Sequence, residues 1–199
     1  LDPNGSGGQA TISSSLYLLV RYIEVPTKSF VCSKDRGVRE FDPTKYRIDG
    51  KRLTDVWDFG PNPAKHCSYA YQQPYGPHGL PTSHRPGVVV AADHNPWIDG
   101  PKWKADDFAA FRPVVGSAAI GDEMRLGNAK AHGRDGQNVL FLDSHVEFMR
   151  RPFRDIENDN IYTAWDGDDK ACGQAPTPYD SQPADPSDSL LLNDPPLKR

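Results

Sequence analysis

The chain lacks the long apolar run that a membrane-spanning segment requires. Its longest apolar stretches are only a few residues long, as in residues 88–92 (VVVAA), whereas a spanning helix needs about 20 apolar residues. The sequence therefore predicts no membrane span within this chain.

A surplus of basic residues is missing as well. The 27 acidic residues exceed the 23 lysines and arginines, and the net charge is -4. Nucleic acids and anionic membranes are bound through concentrated positive charge, so neither is an expected partner. The one basic cluster, residues 150–154 (RRPFR), is interpreted as being solvated or forming salt bridges at the end of a hairpin.

Common catalytic motifs are absent too. The sequence contains no GxSxG, P-loop or GxGxxG motif, which removes the usual support for serine-hydrolase and nucleotide chemistry. None of its three cysteines has the CxxC spacing of a zinc site, and their number fits an exported or a cytosolic protein equally well. Cys32 and Cys67 each lie beside a predicted strand, so we expect a disulfide between them.

Proline and glycine are abundant instead, with 19 and 17 residues, and they predict a loop-rich fold. At 199 residues the chain has the length of one domain with extensions. We expect a linker over residues 1–12, a globular domain over residues 13–170 and an extended tail rich in Pro and Asp over residues 171–199. The tail has too little apolar area to fold alone, so a neighbouring surface would have to order it.

The globular region predicts an α+β fold, in which an amphipathic helix packs on a small antiparallel sheet. The helix begins at Ser13 or Ser14 and ends before Pro26. Its predicted buried stripe follows helical spacing and consists of Leu16, Leu19, Val20 and Ile23.

Strands are predicted at residues 68–72 and 87–92, and a β-hairpin follows later in the chain. Residues 138–142 form its buried strand, Asp143 and Ser144 a two-residue turn, and residues 145–149 a half-exposed strand. Residues 33–63 are expected to run around the core, and residues 95–115 to form a long loop held down by aromatic contacts.

Residues 127–147 (GNAKAHGRDGQNVLFLDSHVE) resemble the C-terminal motif of the pilin-like secreted proteins of planctomycetes and related bacteria, in which His, nine residues and Asp-Gly follow one another. The corresponding residues here are His132, Asn138, Asp143 and His145. Ten residues separate His132 from Asp143, and Ser144 replaces the turn glycine. Residues 14–21 (SSLYLLVR), 28–33 (KSFVCS), 68–71 (SYAY) and 90–96 (VAADHNP) are similar to further pieces of that family.

The resemblance implies an exported pilin-like or pseudopilin-like subunit. In that family a long apolar helix comes first, so the resemblance places residue 1 inside a longer parent sequence. It implies a location outside the cell or at its surface, with the periplasm as an alternative. The implied partners are further copies of the chain and other surface or secretion-system subunits.

The residues that most resemble a catalytic or metal site are carboxylates and imidazoles at predicted strand ends, namely Asp93, His94, His132, Asp143 and His145. Their spacing matches no metallohydrolase motif, and structural roles are preferred. Asp143 is interpreted as a turn residue, His145 as part of the solvent face of a strand, and Asp93 as the cap of the following Asn-Pro turn. No catalytic residue is assigned.

A short acidic segment offers a second candidate site. Asp166, Asp168 and Asp169 place hard oxygen ligands within four residues, which suits calcium. An ordinary solvated turn is the preferred interpretation, and calcium the alternative. No other cofactor is expected.

The remaining candidates are apolar residues for assembly. Trp97 and Trp103 in the long loop, and Leu190, Leu191 and Leu192 in the tail, are predicted to contact neighbouring copies. The tryptophans, with Tyr71 and Tyr75, alternatively suit stacking on sugar rings. The leading hypothesis is a non-enzymatic structural subunit of a pilus-like or pseudopilus-like assembly, and the alternative is a secreted carbohydrate- or metal-binding module, with or without hydrolytic activity.

Overall fold

The computed structural model describes residues 10–46, 52–80, 86–116, 120–154, 158–165, 167 and 169–197. In chain order its elements are α1 (Ile12–Ile23), β1 (Tyr69–Gln72), β2 (Val89–Asp93), α2 (Asp122–Arg125), β3 (Gln137–Phe141), β4 (Val146–Met149) and β5 (Leu191–Leu192). These elements are short and long loops connect them, as the proline and glycine content predicts.

The five strands form one antiparallel sheet in the order β4-β3-β2-β1-β5. The hairpin strand β4 occupies one edge, and β5 from the tail occupies the other. The α+β class is therefore confirmed, with one antiparallel sheet, one long helix and extensive loops.

The hairpin is confirmed, but its turn is longer than predicted. Phe141 N donates to His145 O at 3.0 Å and Ser144 N donates to Phe141 O at 2.9 Å. Ser144 has a left-handed φ of 73°, as expected for the last residue of a three-residue hairpin loop that follows the twist of the strands. The loop therefore spans residues 142–144 rather than two residues.

Helix α1 begins earlier than predicted, inside the expected linker. Thr11 is its N-cap and its Oγ1 accepts from Ser14 N at 3.1 Å. The carboxylate of Asp194 accepts from the backbone N–H groups of Ile12 and Ser13, both at 2.9 Å. These contacts satisfy N–H groups that have no partner within the helix.

The buried face of α1 is also rotated from the predicted stripe. Leu16 and Val20 are buried as expected, but Leu19 and Ile23 are 39% and 68% exposed. Tyr17 is completely buried instead, and its ring packs edge-on against Phe59 with 4.8 Å between centroids. The helix turns this aromatic side chain inward, and Leu19 and Ile23 therefore face outward.

The core has two main parts. Around the sheet lie Ala70, Val89, Ala92, Trp97, Phe111, Val139, Phe141, Met149, Ile161, Tyr162 and Leu191. Beneath α1 lie Leu16, Tyr17, Val20, Phe30, Phe41, Val56, Phe59 and Cys67. Several residues of the segment expected to run around the core thus lie within it.

The tail is ordered by its own chain, which corrects the expectation that a neighbouring surface orders it. Leu191 pairs with Gln72 and Leu192 with Tyr71, so β5 extends the sheet. Leu190, Leu191 and Leu192 are completely buried. They were predicted to contact neighbouring copies, but they are not accessible for that purpose because they fill their own core.

Candidate functional site

Asp93 is the last residue of β2, and its side chain is completely buried. Its Oδ2 accepts hydrogen bonds from Asn138 N at 2.7 Å and from Asn138 Nδ2 at 3.2 Å. Its Oδ1 is buried without a hydrogen-bond partner among the described residues. The expected capping role is wrong for this side chain, since Asn95 Oδ1 accepts from Trp97 N at 2.9 Å in the turn that follows.

The imidazole of His132 meets Asp93 and Asn138 at the start of β3. His132 ends the short 3-10 helix Lys130–His132, and Gly133 follows in a left-handed conformation with φ 64°. His132 Nε2 lies 3.2 Å from Asp93 Oδ2 and 3.1 Å from Asn138 Nδ2. The ring of Phe148 stands perpendicular to the imidazole at 5.7 Å and helps to fix its orientation.

Cys32 completes this group, a role that the sequence did not suggest. Its Sγ lies 3.8 Å from His132 Nε2, and its backbone N donates to Ser68 Oγ at 3.0 Å. Cys32 and Cys67 are both free thiols, so the predicted disulfide is not formed in this structure. Cys67 is buried with its Sγ 3.6 Å from Tyr69 O, while the Cys32 sulfur is placed beside His132.

These three side chains form what is called here the Cys-Asp-His cluster, whose ligand atoms all lie within 4.8 Å of one another. The same imidazole nitrogen faces both the sulfur and the carboxylate. In a nucleophilic relay one ring nitrogen faces the nucleophile while the other faces the carboxylate. The geometry is therefore that of atoms converging on one point, as metal ligands do, rather than that of a proton relay.

Burial affects both acidic members of the cluster. It raises the pKa of the Asp93 carboxyl above its ordinary value, although the hydrogen bond from Asn138 N opposes the shift. Burial also raises the pKa of the Cys32 thiol, and the nearby carboxyls of Asp93 and Asp35 add to that shift. Burial therefore disfavours the charged form of both groups.

An open pocket of about 780 Å³ adjoins the cluster and has a basic lining. His132 and Phe148 form part of its wall, and four cationic side chains are also present, those of Lys34, Arg125, Arg134 and Arg150. Arg125 contacts Asp135 at 2.5 Å and Arg134 pairs with Asp106. The sequence did not reveal this concentration of positive charge because its members come from separate segments.

The four residues of the family resemblance occupy two places. His132 and Asn138 belong to the surroundings of Asp93, whereas Asp143 and His145 lie at the exposed tip of the hairpin. Asp143 Oδ1 accepts from His145 N at 3.2 Å and contacts His145 Nδ1 at 2.5 Å, and the hydrogen bond from the His145 backbone lowers the Asp143 pKa. The turn role of Asp143 is confirmed, and His145 stacks on Phe141 with 4.3 Å between ring centroids.

His94, the remaining candidate, lies outside the cluster. Its Nδ1 is 2.9 Å from Asp35 Oδ2, and both side chains are buried. Its ring also approaches Trp103, with 6.0 Å between centroids. This buried pair holds the segment after Cys32 against the end of β2.

The acidic segment gives no new information about calcium. Asp166 and Asp168 lie outside the described residues. Asp169 Oδ1 accepts from Cys172 N at 3.0 Å, and Asp169 O accepts from Gly173 N at 2.9 Å, as in an ordinary turn. The calcium site stays a prediction.

The tryptophans hold down the long loop, as predicted. Trp97 is only 7% exposed, and its ring packs against Phe108 and Phe111 at 4.9 and 5.1 Å. Trp103 is half-buried and lies under Lys130, whose Nζ is 4.9 Å from the ring centroid. Trp97 is therefore not accessible for the predicted contact with a neighbouring copy.

Among the exposed apolar side chains of the described residues, two groups lie on regular secondary structure. The helix patch consists of Leu18, Leu19, Tyr22 and Ile23 on α1, which are 41%, 39%, 68% and 68% exposed. The hairpin patch consists of Val146 and Phe148 on β4, which are 63% and 43% exposed. Neither surface was predicted.

Comparison with known proteins leaves the family resemblance untested. No protein-family model matches the sequence, and neither a search of curated proteins nor one of solved structures gives a significant match. Within the part of the chain that the structure describes, every helix is too short or too polar to cross a membrane, in agreement with the absence of a long apolar run.

Proposed function

We propose that this chain is a non-enzymatic structural subunit that assembles with copies of itself, outside the cell or at its surface. The observation that carries the proposal is the presence of two separate exposed apolar surfaces, the helix patch and the hairpin patch. The location rests on the resemblance to exported pilin-like proteins. Other surface or secretion-system subunits are further candidate partners.

The helix patch has the character of a protein contact surface. Tyr22 and Ile23 follow one another near the C-terminal end of α1, and each exposes 68% of its surface. Leu18 and Leu19 extend the patch by one helical turn, so apolar area is continuous along this side of the helix. Contiguous apolar surface of this kind marks interaction sites more often than single exposed leucines do.

The hairpin patch lies on an edge strand. Among the described strands, β4 pairs with β3 alone, so the N–H and C=O groups along its other side face away from the sheet. Val146 and Phe148 lie two residues apart and project to the same side of the strand. An edge strand that carries exposed apolar side chains is suited to contact with another chain.

The two patches belong to different parts of the molecule, because α1 packs beside β1 whereas β4 forms the far edge of the sheet. A contact between unlike patches is heterologous, and it repeats along a row of copies unless the rotation closes a ring. We therefore assign the helix patch of one copy to the hairpin patch of the next. This arrangement produces a filament or a ring rather than a symmetric dimer.

A carbohydrate-binding module is supported less well. Trp97 is buried among aromatic residues, and the hydroxyl of Tyr75 donates to Thr11 O at 2.9 Å. Two of the four aromatic residues expected to stack on sugars, Trp97 and Tyr75, therefore make contacts within their own chain.

Lysine substitutions within the two patches test the assembly. Ile23→Lys and Val146→Lys each place a charge in one patch, so each is expected to weaken self-association about tenfold or more. Val114→Lys is the matched control, because Val114 is 57% exposed and belongs to neither patch. Light scattering coupled to size-exclusion chromatography over a concentration series, with electron microscopy, measures the outcome.

Mixing the two variants distinguishes unlike contacts from symmetric ones. The Ile23→Lys variant keeps an intact hairpin patch and the Val146→Lys variant an intact helix patch, so an equimolar mixture should form dimers that do not extend further. Wild-type protein that stays monomeric at high concentration would contradict the proposal. Symmetric dimers that only one of the substitutions disrupts would contradict the head-to-tail arrangement.

A further inference from the structure

We propose that Cys32 Sγ, Asp93 Oδ2 and His132 Nε2 bind a divalent transition-metal ion of the zinc class, with a water molecule from the adjoining pocket in the fourth position. The three residues come from separate segments and share no metal-binding sequence motif. The inference does not depend on self-assembly.

The spacing of the three atoms fits such an ion. In a tetrahedral zinc site the bonds are about 2.3 Å to sulfur and about 2.0 Å to nitrogen or oxygen, so neighbouring ligand atoms lie about 3.3 to 3.6 Å apart. Here the sulfur is 3.8 Å from the imidazole nitrogen, which is 3.2 Å from the carboxylate oxygen. The distance between the sulfur and the carboxylate ligand atom is no more than 4.8 Å, and the other two distances already lie close to those of a zinc site.

The polar contacts in the cluster converge on His132 Nε2. Asn138 Nδ2 lies 3.2 Å from Asp93 Oδ2 and 3.1 Å from His132 Nε2, so the amide faces both proposed ligand atoms. In the tautomer that leaves the Nε2 lone pair free, Nε2 and Asp93 Oδ2 are two electron-pair donors 3.2 Å apart. This arrangement suits two ligands of one ion.

A metal ion suits this cluster because it accepts electron pairs from all three atoms. The ion's two positive charges balance one thiolate and one carboxylate, and the neutral imidazole adds none. The resulting site has no net charge, which suits a location where Asp93 is completely buried.

The surroundings already hold the ligands in place. Asn138 N donates to Asp93 Oδ2 at 2.7 Å, and Ser68 Oγ accepts from Cys32 N at 3.0 Å. Such supporting hydrogen bonds orient metal ligands and contribute to affinity. Bound metal would also link the segment around Cys32 to the sheet, so the ion is expected to stabilise the fold.

The kind of donor atoms determines which ion is expected. One thiolate and one imidazole favour zinc and its neighbours among the transition metals, whereas calcium and magnesium prefer sites made entirely of oxygen atoms. The pocket wall includes His132, and we assign the solvent ligand in the fourth position to this side of the cluster. Three protein ligands and one solvent position are typical of zinc sites that remain open.

The test uses the complete chain without a polyhistidine tag, stripped of metal with a chelator and kept reduced. Zinc binding is measured by competition with a chromophoric chelator, and cobalt binding by absorption spectroscopy. We expect one ion per chain, a raised melting temperature, and a thiolate-to-cobalt charge-transfer band. Magnesium and calcium should neither compete with zinc nor raise the melting temperature.

Matched variants locate the ion. Loss of a residue that supports a metal ligand lowers metal affinity about 10- to 100-fold. Asn138→Ala should weaken zinc binding within this range, whereas Cys32→Ser and His132→Ala should each weaken it by more. Cys172→Ser and His145→Ala are controls of the same residue types outside the cluster, and they should bind like the wild type. Cys32→Ser should also lose the charge-transfer band.

Three results would overturn the proposal. The first is wild-type protein that binds neither zinc nor cobalt, and the second is binding that survives both Cys32→Ser and His132→Ala. The third is binding that is lost in Cys172→Ser or His145→Ala. Circular dichroism of each metal-free variant separates loss of ligands from loss of folding, and the comparison between Cys32→Ser and Cys172→Ser stays informative if His132→Ala fails to fold.

Discussion

Asp58 shows how single buried carboxyl groups in this protein hold their protons more tightly than carboxyl groups in water. Its side chain is completely buried, and burial raises its pKa to about 7, even though Thr11 Oγ1 donates to it at 2.6 Å. The charge of Asp194 adds to this effect. Burial likewise raises the pKa of Asp188, and Asp159 increases the shift.

The stability of the folded state should therefore depend on pH through Asp58. In the unfolded chain this carboxyl loses its proton near pH 4, whereas in the folded chain it does so near pH 7. The folded state thus binds the extra proton across this range, and the free energy of unfolding should fall as the pH rises from about 4 to about 7. We expect Asp58→Asn to reduce this slope, as measured by urea denaturation at pH 5, 6, 7 and 8.

Asp143→Asn is the control for that experiment. Asp143 is exposed and its pKa lies below the ordinary value, so its titration is complete below the range measured. An unchanged slope in Asp58→Asn, or an equal reduction in both variants, would show that Asp58 is not the group responsible.

At the residue scale, the sequence revealed part of the cluster and missed the rest. Asp93 and His132 were among the candidates because carboxylates and imidazoles at strand ends are recognisable. Cys32 was predicted to form a disulfide instead, since nothing in the neighbouring residues indicates that its thiol will meet residues 93 and 132. That meeting depends on how the segment around Cys32 packs beside the start of β1 and the end of β2.

Among the elements, α1 is held in position by residues that are distant in sequence. Its first N–H groups donate to the carboxylate of Asp194, which also accepts from the hydroxyl of Tyr179 at 2.8 Å. A carboxylate at this end of a helix is favourable in charge as well as in hydrogen bonding. The tail thereby fixes the start of the helix.

Removal of this contact should destabilise the protein. Asp194→Ala leaves the N–H groups of Ile12 and Ser13 without their acceptor, and we expect the free energy of unfolding to fall by about 2 kcal/mol. Asp180→Ala is the control, because Asp180 lies exposed in the same tail, and its effect should stay within about 0.5 kcal/mol. Equal effects of the two substitutions in urea denaturation would contradict the capping role.

The elements that the sequence predicted well are those determined by adjacent residues. The hairpin of β3 and β4 was found because its alternating strands and its turn lie within a dozen residues, and β1 and β2 were found from short apolar runs. The start and buried face of α1 were predicted incorrectly, because Asp194 and the aromatic residues beneath the helix are remote in sequence. β5 was missed because two residues are too few to show a period.

On the scale of the whole molecule, the tail is part of the core. Leu191 is completely buried in the same group of side chains as Val139 and Tyr162, and its N donates to Ile161 O at 2.9 Å. The division between a globular domain and a separate tail, drawn from composition, does not describe how these side chains pack.

Leu191→Ala should therefore weaken the entire fold. Truncation of a buried leucine costs about 2 to 5 kcal/mol, and tryptophan fluorescence and far-UV circular dichroism should report one common, lowered melting temperature. Leu197→Ala makes the same chemical change in the same tail at a side chain that is 63% exposed, and it should have little effect. A tail that melts separately, with the sheet unchanged in Leu191→Ala, would refute this view.

The hydrogen bonds from Ile12 N and Ser13 N to Asp194 also set an order of events during synthesis. Residue 12 leaves the ribosome long before residue 194, and at about 5 to 20 residues per second the interval is roughly 10 to 40 s. Throughout that interval the N–H groups of Ile12 and Ser13 lack their acceptor, and one edge of the sheet lacks β5. Nascent chains should therefore remain incompletely folded, and accessible to chaperones, until β5 and Asp194 have been synthesised.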